Sequence, residues 1–171
     1  YLAGRQVLVQ RRSRAPIRTE AELAGRIVHA RRGSPPAATL ARLQDRGIPL
    51  QVALHDDLAD EELIRRAAEG SIDATVADSH IARLQRLFYP EARLTLELTE
   101  DLPVAWAVHP RATGLRREID RFFRRLKASG RFAEILQRSY GFVERFDYVG
   151  LRAFHRRLRT RLPRYQALLE A

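Results

Sequence analysis

At 171 residues the chain is long enough for one good core, or for one lobe of a two-lobed protein with further helices. Cysteine and methionine are both absent, which excludes disulfides, thiolate catalysis and sulfur-ligated metals. The formal charge is +10, from 31 basic against 21 acidic residues, and Lys127 is the only lysine.

Such a balance suits an anionic partner: nucleic acid, membrane surface or glycan. The arginines are spread through nearly every segment, however, and the doublets at Arg11-Arg12, Arg31-Arg32, Arg124-Arg125 and Arg156-Arg157 lack aromatic interleaving. That distribution argues against nucleic acid. No run approaches the ~20 apolar residues that cross a membrane. The start at Tyr1 has no signal-peptide pattern, so any targeting signal is expected to lie outside the sequence.

Leu2 to Gln10 reads as a strand around Val7-Leu8-Val9, and Pro16 breaks it. Thr19-Glu20-Ala21-Glu22 has the spacing of a capping box, ended by Gly25. A second strand covers Arg26 to Ala30, and Gly33-Ser34-Pro35-Pro36 then opens a helix to about Arg46. A strand from Leu50 to Leu54 precedes a helix from about Leu58 to Glu69, whose Leu63, Ile64, Ala67 and Ala68 share one side.

Ile72 to Ala77 is the next strand, and Asp78 starts a helix carrying Ile81, Leu84, Leu87 and Phe88. Strands follow at Arg93 to Leu98 and Val104 to His109, with Trp106 expected in the core. Between 26 and 98 strands and helices alternate, the pattern of a mostly parallel sheet covered on both faces. The last third is helical, and the arginine-rich part from Phe142 reads as an extension leaving the domain.

Two resemblances rest on particular phrases. Gly33-Ser34 after a strand, Glu69-Gly70-Ser71-Ile72-Asp73-Ala74 leading into Val76-Ala77-Asp78-Ser79, and the strand Val104 to Val108 resemble the second lobe of type 2 periplasmic solute-binding proteins of the amino-acid class. A narrower resemblance spans almost the whole chain. Ala77-Asp78-Ser79, Tyr89-Pro90, Ala105-Trp106-Ala107, Phe122-Phe123, Tyr140-Gly141, Phe146-Asp147-Tyr148-Val149 and Leu162-Pro163-Arg164-Tyr165 look like the F-type membrane-bound lytic murein transglycosylases. In that family a solute-binding domain precedes a lysozyme-like catalytic domain.

The resemblance implies an α/β fold of periplasmic-binding-protein type. It implies a crossover strand from lobe one at 1–16, lobe two at 17–103, a return strand with lobe-one helices at 104–141, and a helical junction at 142–171. The first part of lobe one is expected before the region of Tyr1. The catalytic domain, with its general-acid glutamate, is expected past Ala171, so this segment is read as non-catalytic. The resemblance also implies the periplasm, in association with the outer membrane.

Amino-acid-binding proteins hold a zwitterion between two lobes. A helix start offers N–H groups to the carboxylate, and an acidic side chain pairs with the ammonium. Here the resemblance assigns those parts to Ser34 with Gly33 and to Asp78, with Ser79 and Arg32 as further polar contacts. His80 lies close enough in sequence to touch the same ligand. Asp78 reads equally well as a plain N-cap. Pro35 and Pro36 remove two N–H groups from the usual carboxylate cradle.

The expected ligand is an amino acid or a muropeptide, with peptidoglycan reached through the catalytic domain, no cofactor, and a homodimer through exposed lobe-one surface. The five histidines lack paired metal spacing. Acidic pairs such as Glu61-Glu62 and Asp56-Asp57 sit in no recognisable glycosidase arrangement. The rival functions are a scaffold adhering to anionic wall polymer, a free-standing solute-binding protein fragment, and a hydrolase.

Overall fold

A computed structural model describes residues 2–145 and 148–165, so the Phe146-Asp147 pair of the junction phrase lies outside the described residues. Among the described residues seven strands form two sheets. β2 (Gln6–Arg11), β3 (Ile27–Arg31), β4 (Gln51–His55), β5 (Ala74–Asp78) and β6 (Ala92–Glu97) make a five-stranded sheet in the order β4-β3-β5-β2-β6, while β1 (Leu2–Gly4) pairs with β7 (Leu102–Val104) as a separate ribbon. β3 runs parallel to both β4 and β5, and β2 lies antiparallel between β5 and β6. The fold is α/β, a mixed sheet covered by helices on both faces.

The parallel strands are joined by helices, as the alternating pattern requires. α1 (Pro35–Asp45) follows β3, α2 (Asp60–Glu69) follows β4 and α3 (Ser79–Phe88) follows β5. On one face of the sheet Leu8, Val28, Ala30 and Val76 pack with Leu40 and Leu43 of α1. On the other, Val7, Val9 and Ala77 pack with Ile64 and Ala68 of α2 and Ala82 of α3. Adjacent β2 residues thus feed opposite cores, which is why Val7-Leu8-Val9 is apolar without alternation.

One buried polar side chain of this sheet, Gln10, is matched on its carbonyl. The Gln10 side-chain carbonyl accepts from Ile17 N–H at 2.9 Å and from the Thr95 hydroxyl at 3.1 Å, beside an irregularity in the β2–β6 register. The turn at 19–23 departs from the capping-box expectation. It is a short 3-10 turn, Glu20–Leu23, in which the Thr19 hydroxyl caps nothing and Glu22 accepts from Arg18 N–H instead.

The remaining helices are α4 (Thr113–Ala128), α5 (Arg131–Arg145) and α6 (Tyr148–Arg161). The return strand is shorter than expected and stops at Val104. Trp106, expected in the core, is 57% exposed and lies edge-on to Phe123 of α4 at 5.1 Å. With the strand ended two residues earlier, no second sheet face covers the indole. α6 also corrects the sequence reading, because it packs back instead of leaving. Leu151 is buried, and the His155 ring donates from Nε2 to the Leu87 carbonyl at the end of α3, 2.7 Å away.

Candidate functional site at the carboxyl edge of the parallel strands

Three strand-to-helix turns lie side by side at the carboxyl ends of β3, β4 and β5, where open α/β sheets gather ligands. In the first, Gly33 adopts a φ of +71°, a conformation that favours glycine and lets the chain reverse into α1. Ser34 is the N-cap. Its hydroxyl accepts from Ala37 N–H at 3.3 Å and donates to the Arg31 carbonyl at 2.7 Å. Its hydrogen-bonding capacity is therefore largely used within the turn. Arg32 is tied to the second turn, with Nε on Asp56 at 2.7 Å.

The third turn differs. Asp78 occupies the N-cap position of α3, yet its carboxylate makes no cap hydrogen bond. The plain capping role that the sequence left open is not what this side chain does. Ser79 next to it is buried, and it clamps the crossing chain. Its N–H donates to the Arg5 carbonyl at 2.7 Å, and its hydroxyl accepts from Arg5 N–H at 3.2 Å. His80 approaches the same crossing, since a Cβ placed on Gly4 would stand 3.5 Å from its Nδ1, a buried atom without a hydrogen-bond partner.

The sequence pattern does not single out Asp60. It is the first residue of α2, and its buried Oδ1 has no hydrogen-bond partner. Burial raises its pKa above the usual carboxylate value, and the nearby Glu61 and Asp78 charges push the same way, partly offset by Arg31. The signal was available: a parallel strand ending at His55 must deliver the next helix start to the same edge as Asp78. The edge thus presents two carboxylates close enough to influence each other, with Arg31 beside them.

Arg5 joins this edge to the ribbon. Its guanidinium pairs with Glu97 and with Asp101, the latter at 2.7 Å, while Gln6 N–H donates to the Thr99 hydroxyl at 3.0 Å. Both strands that connect sheet and ribbon are therefore cross-linked at one level. On the neighbouring strands, one imidazole of the His29–His55 pair donates to the other across 2.8 Å. Among the described residues no group of three or more His, Cys, Asp or Glu side chains is placed to hold a metal ion.

The chain resembles known proteins in sequence and in fold. No protein-family model matches it. A membrane-bound lytic murein transglycosylase F from Desulfosudis oleivorans is 46% identical over 170 residues, 99% of this chain and 37% of that protein. The chain is a homologue of one segment of these transglycosylases.

A second one, from Photobacterium profundum, is 38% identical over 111 residues, 64% of this chain and 22% of that protein. The chain therefore spans little more than a third of the length of the Desulfosudis transglycosylase, and less of the other. Solved structures similar to it are amino-acid-binding proteins. An ancestral arginine-binding protein bound to arginine gives a TM-score of 0.69 at 20% identity, over 82% of this chain and 61% of that one. The substrate-binding protein AbpA of an amino acid ABC transporter from Streptococcus pneumoniae, bound to L-arginine, gives 0.71 at 19%, over 84% and 60%. At these identities the likeness shows the fold.

Proposed function

We propose that this chain is the ligand-recognition part of a membrane-bound lytic transglycosylase, binding an amino acid or a cell-wall-derived peptide without itself cutting peptidoglycan. The observation that carries the reading is the Asp78 carboxylate, set at the start of α3 on the carboxyl edge and left out of helix capping. A carboxylate so placed pairs with a ligand ammonium by charge-assisted hydrogen bonds. Gly33, Ser34, Ser79 and Arg32 shape the turns that border the ligand in this reading.

In this reading residues 17–103 form lobe two, 1–16 are the strand that crosses into it from lobe one, 104–141 return to lobe one, and 142–171 lead toward a catalytic domain. Ligand held between the lobes biases their closure, and through it the attached enzyme acting on peptidoglycan. The protein works in the periplasm at the outer membrane. The exposed apolar side chains of Trp106, Leu115, Phe122 and Ile135 further support a homodimer through that face, to be read by sedimentation.

Calorimetric titration with a panel of amino acids and muropeptide stems tests the reading. Saturable binding is expected, weakened about ten- to a hundredfold by Asp78→Ala, the effect of losing one hydrogen bond to a charged group. Equal affinity in the variant would sink the assignment of Asp78, and no saturable binding by the folded chain would sink the ligand reading.

A further inference from the structure

The end of the sheet opposite Asp78 carries a second concave surface. Gln6 pairs with Asp78, so Arg11, at the far end of β2, lies at the other edge of the sheet. There a cleft of about 1070 Å³ opens between α6 and the ends of α2 and α3, with Arg11, Phe88, Val149, Arg152, Arg156 and Arg159 on its walls. α6 is held in place by buried Leu151, by His155 on the Leu87 carbonyl and by Arg152 on Glu91 at 3.3 Å. The cleft therefore has one wall from the sheet unit and one from the junction helix.

Its charge is one-sided. Arg152, Arg156 and Arg159 recur at i, i+4 and i+7, which places them on one face of α6. The two acidic residues of the cleft are already occupied, Glu91 by Arg152 and Glu69 by Arg65 at 2.8 Å. Among the described residues no carboxylate pairs with Arg11, Arg156 or Arg159, and the Arg11 guanidinium lies against Gly70, where a Cβ would stand 2.8 Å from its Nη1. Apolar surface is interleaved with this charge, since Phe88 is 59% and Val149 73% exposed.

We propose that this cleft binds an extended acidic peptide, its carboxylates meeting Arg11, Arg156 and Arg159 and an apolar side chain resting on Phe88 and Val149. Guanidinium groups pair bidentately with carboxylates, and arginines one turn apart are about 5–6 Å from each other. Alternate residues of an extended peptide, at about 3.3 Å per residue, repeat on nearly that scale. The exposed apolar pair selects such a peptide over a bare inorganic polyanion, which would leave both side chains in water. This site is separate from the Asp78 edge and does not depend on what binds there.

The experiment is an anisotropy titration of the 171-residue chain with a labelled peptide of alternating Glu and Leu. Inorganic polyphosphate and the Gln-for-Glu peptide serve as comparators. Arg156→Glu with Arg159→Glu, and separately Arg11→Glu on the opposite wall, are expected to weaken the acidic peptide at least about tenfold. All three arginines are exposed, and circular dichroism checks that the variants remain folded. Arg116→Glu with Arg117→Glu on α4 makes the same charge change away from the cleft and is expected to cost less than about twofold. Equal losses from both double variants would overturn the proposal by assigning the binding to diffuse charge. Tighter binding of polyphosphate than of the peptide would overturn it in favour of a phosphate polymer.

Discussion

α1 and α4 are both amphipathic, but they end in opposite situations. α1 runs for 11 residues and buries Pro36, Thr39, Leu40 and Leu43 against the five-stranded sheet. α4 runs for 16 residues with a stronger apolar stripe and buries none of them. Its Phe123 instead meets Phe122, Trp106 and Phe132 in a half-open aromatic cluster. Periodicity states which face of a helix would gain from leaving water; the gain appears only where another layer covers that face. The sheet supplies cover on both sides for α1 to α3, whereas the β1–β7 ribbon, with three residues per strand, supplies little for α4.

The largest expected effect tests that contrast directly. Leu40→Ala removes a fully buried side chain from the core and should cost about 2–5 kcal/mol. Leu115→Ala removes one that is 55% exposed and should cost less than about 1 kcal/mol. Urea titration followed by far-ultraviolet dichroism compares the two. Similar losses would mean that α4 has a cover that this structure does not contain.

Much of the better-covered region was legible in the sequence. Apolar runs bounded by Gly33, Gly47 and Gly70 mark its strands and helices, and Asp78 could be placed at a strand end because a parallel crossover returns the chain to the same edge. Other features depend on partners distant in sequence. That Ser34 spends its hydroxyl within its own turn while Asp78 caps nothing follows from backbone geometry, and both residue types are equally good caps. The place of Asp60 at that edge follows from the same crossover, but the isolation of its carboxylate comes from burial. Trp106 was misplaced because an apolar strand pattern does not reveal where pairing stops. The docking of α6 rests on a histidine and a carbonyl 68 residues apart.

Glycines give the second, smaller contrast. Gly70 ends α2 at a φ of +86° and is crowded by the Arg11 guanidinium, so Gly70→Ala combines backbone strain with displacement of that side chain. A cost of about 1–2 kcal/mol is expected, read as a lower urea midpoint for the whole sheet unit. Gly130, between α4 and α5, has a φ of +76°, but nothing lies within 4 Å of where an alanine methyl would sit. Gly130→Ala carries only the strain, borne by thinly packed helices, and should show as faster hydrogen exchange in α4 and α5 with the midpoint nearly unchanged.

The smallest effect separates the edge strand from the rest of its own sheet. His29 on β3 shares a hydrogen bond with His55 on β4, and burial lowers its pKa below 6.5, helped by His55 and opposed by Asp73. Between the folded pKa and 6.5 the unfolded chain therefore binds more protons than the folded one. The stability from this pair is complete above that range and is lost as pH falls through it. Partial exposure screens the effect, so less than about 1 kcal/mol is expected. Denaturation midpoints between neutral pH and about pH 5 should fall for the native chain and fall less for His29→Gln. Identical pH profiles would show that the imidazole pair is not the group that couples β4 to protonation. A fall confined to β4 amides in hydrogen exchange would place the loss at the edge of the sheet, where one strand has a neighbour on only one side.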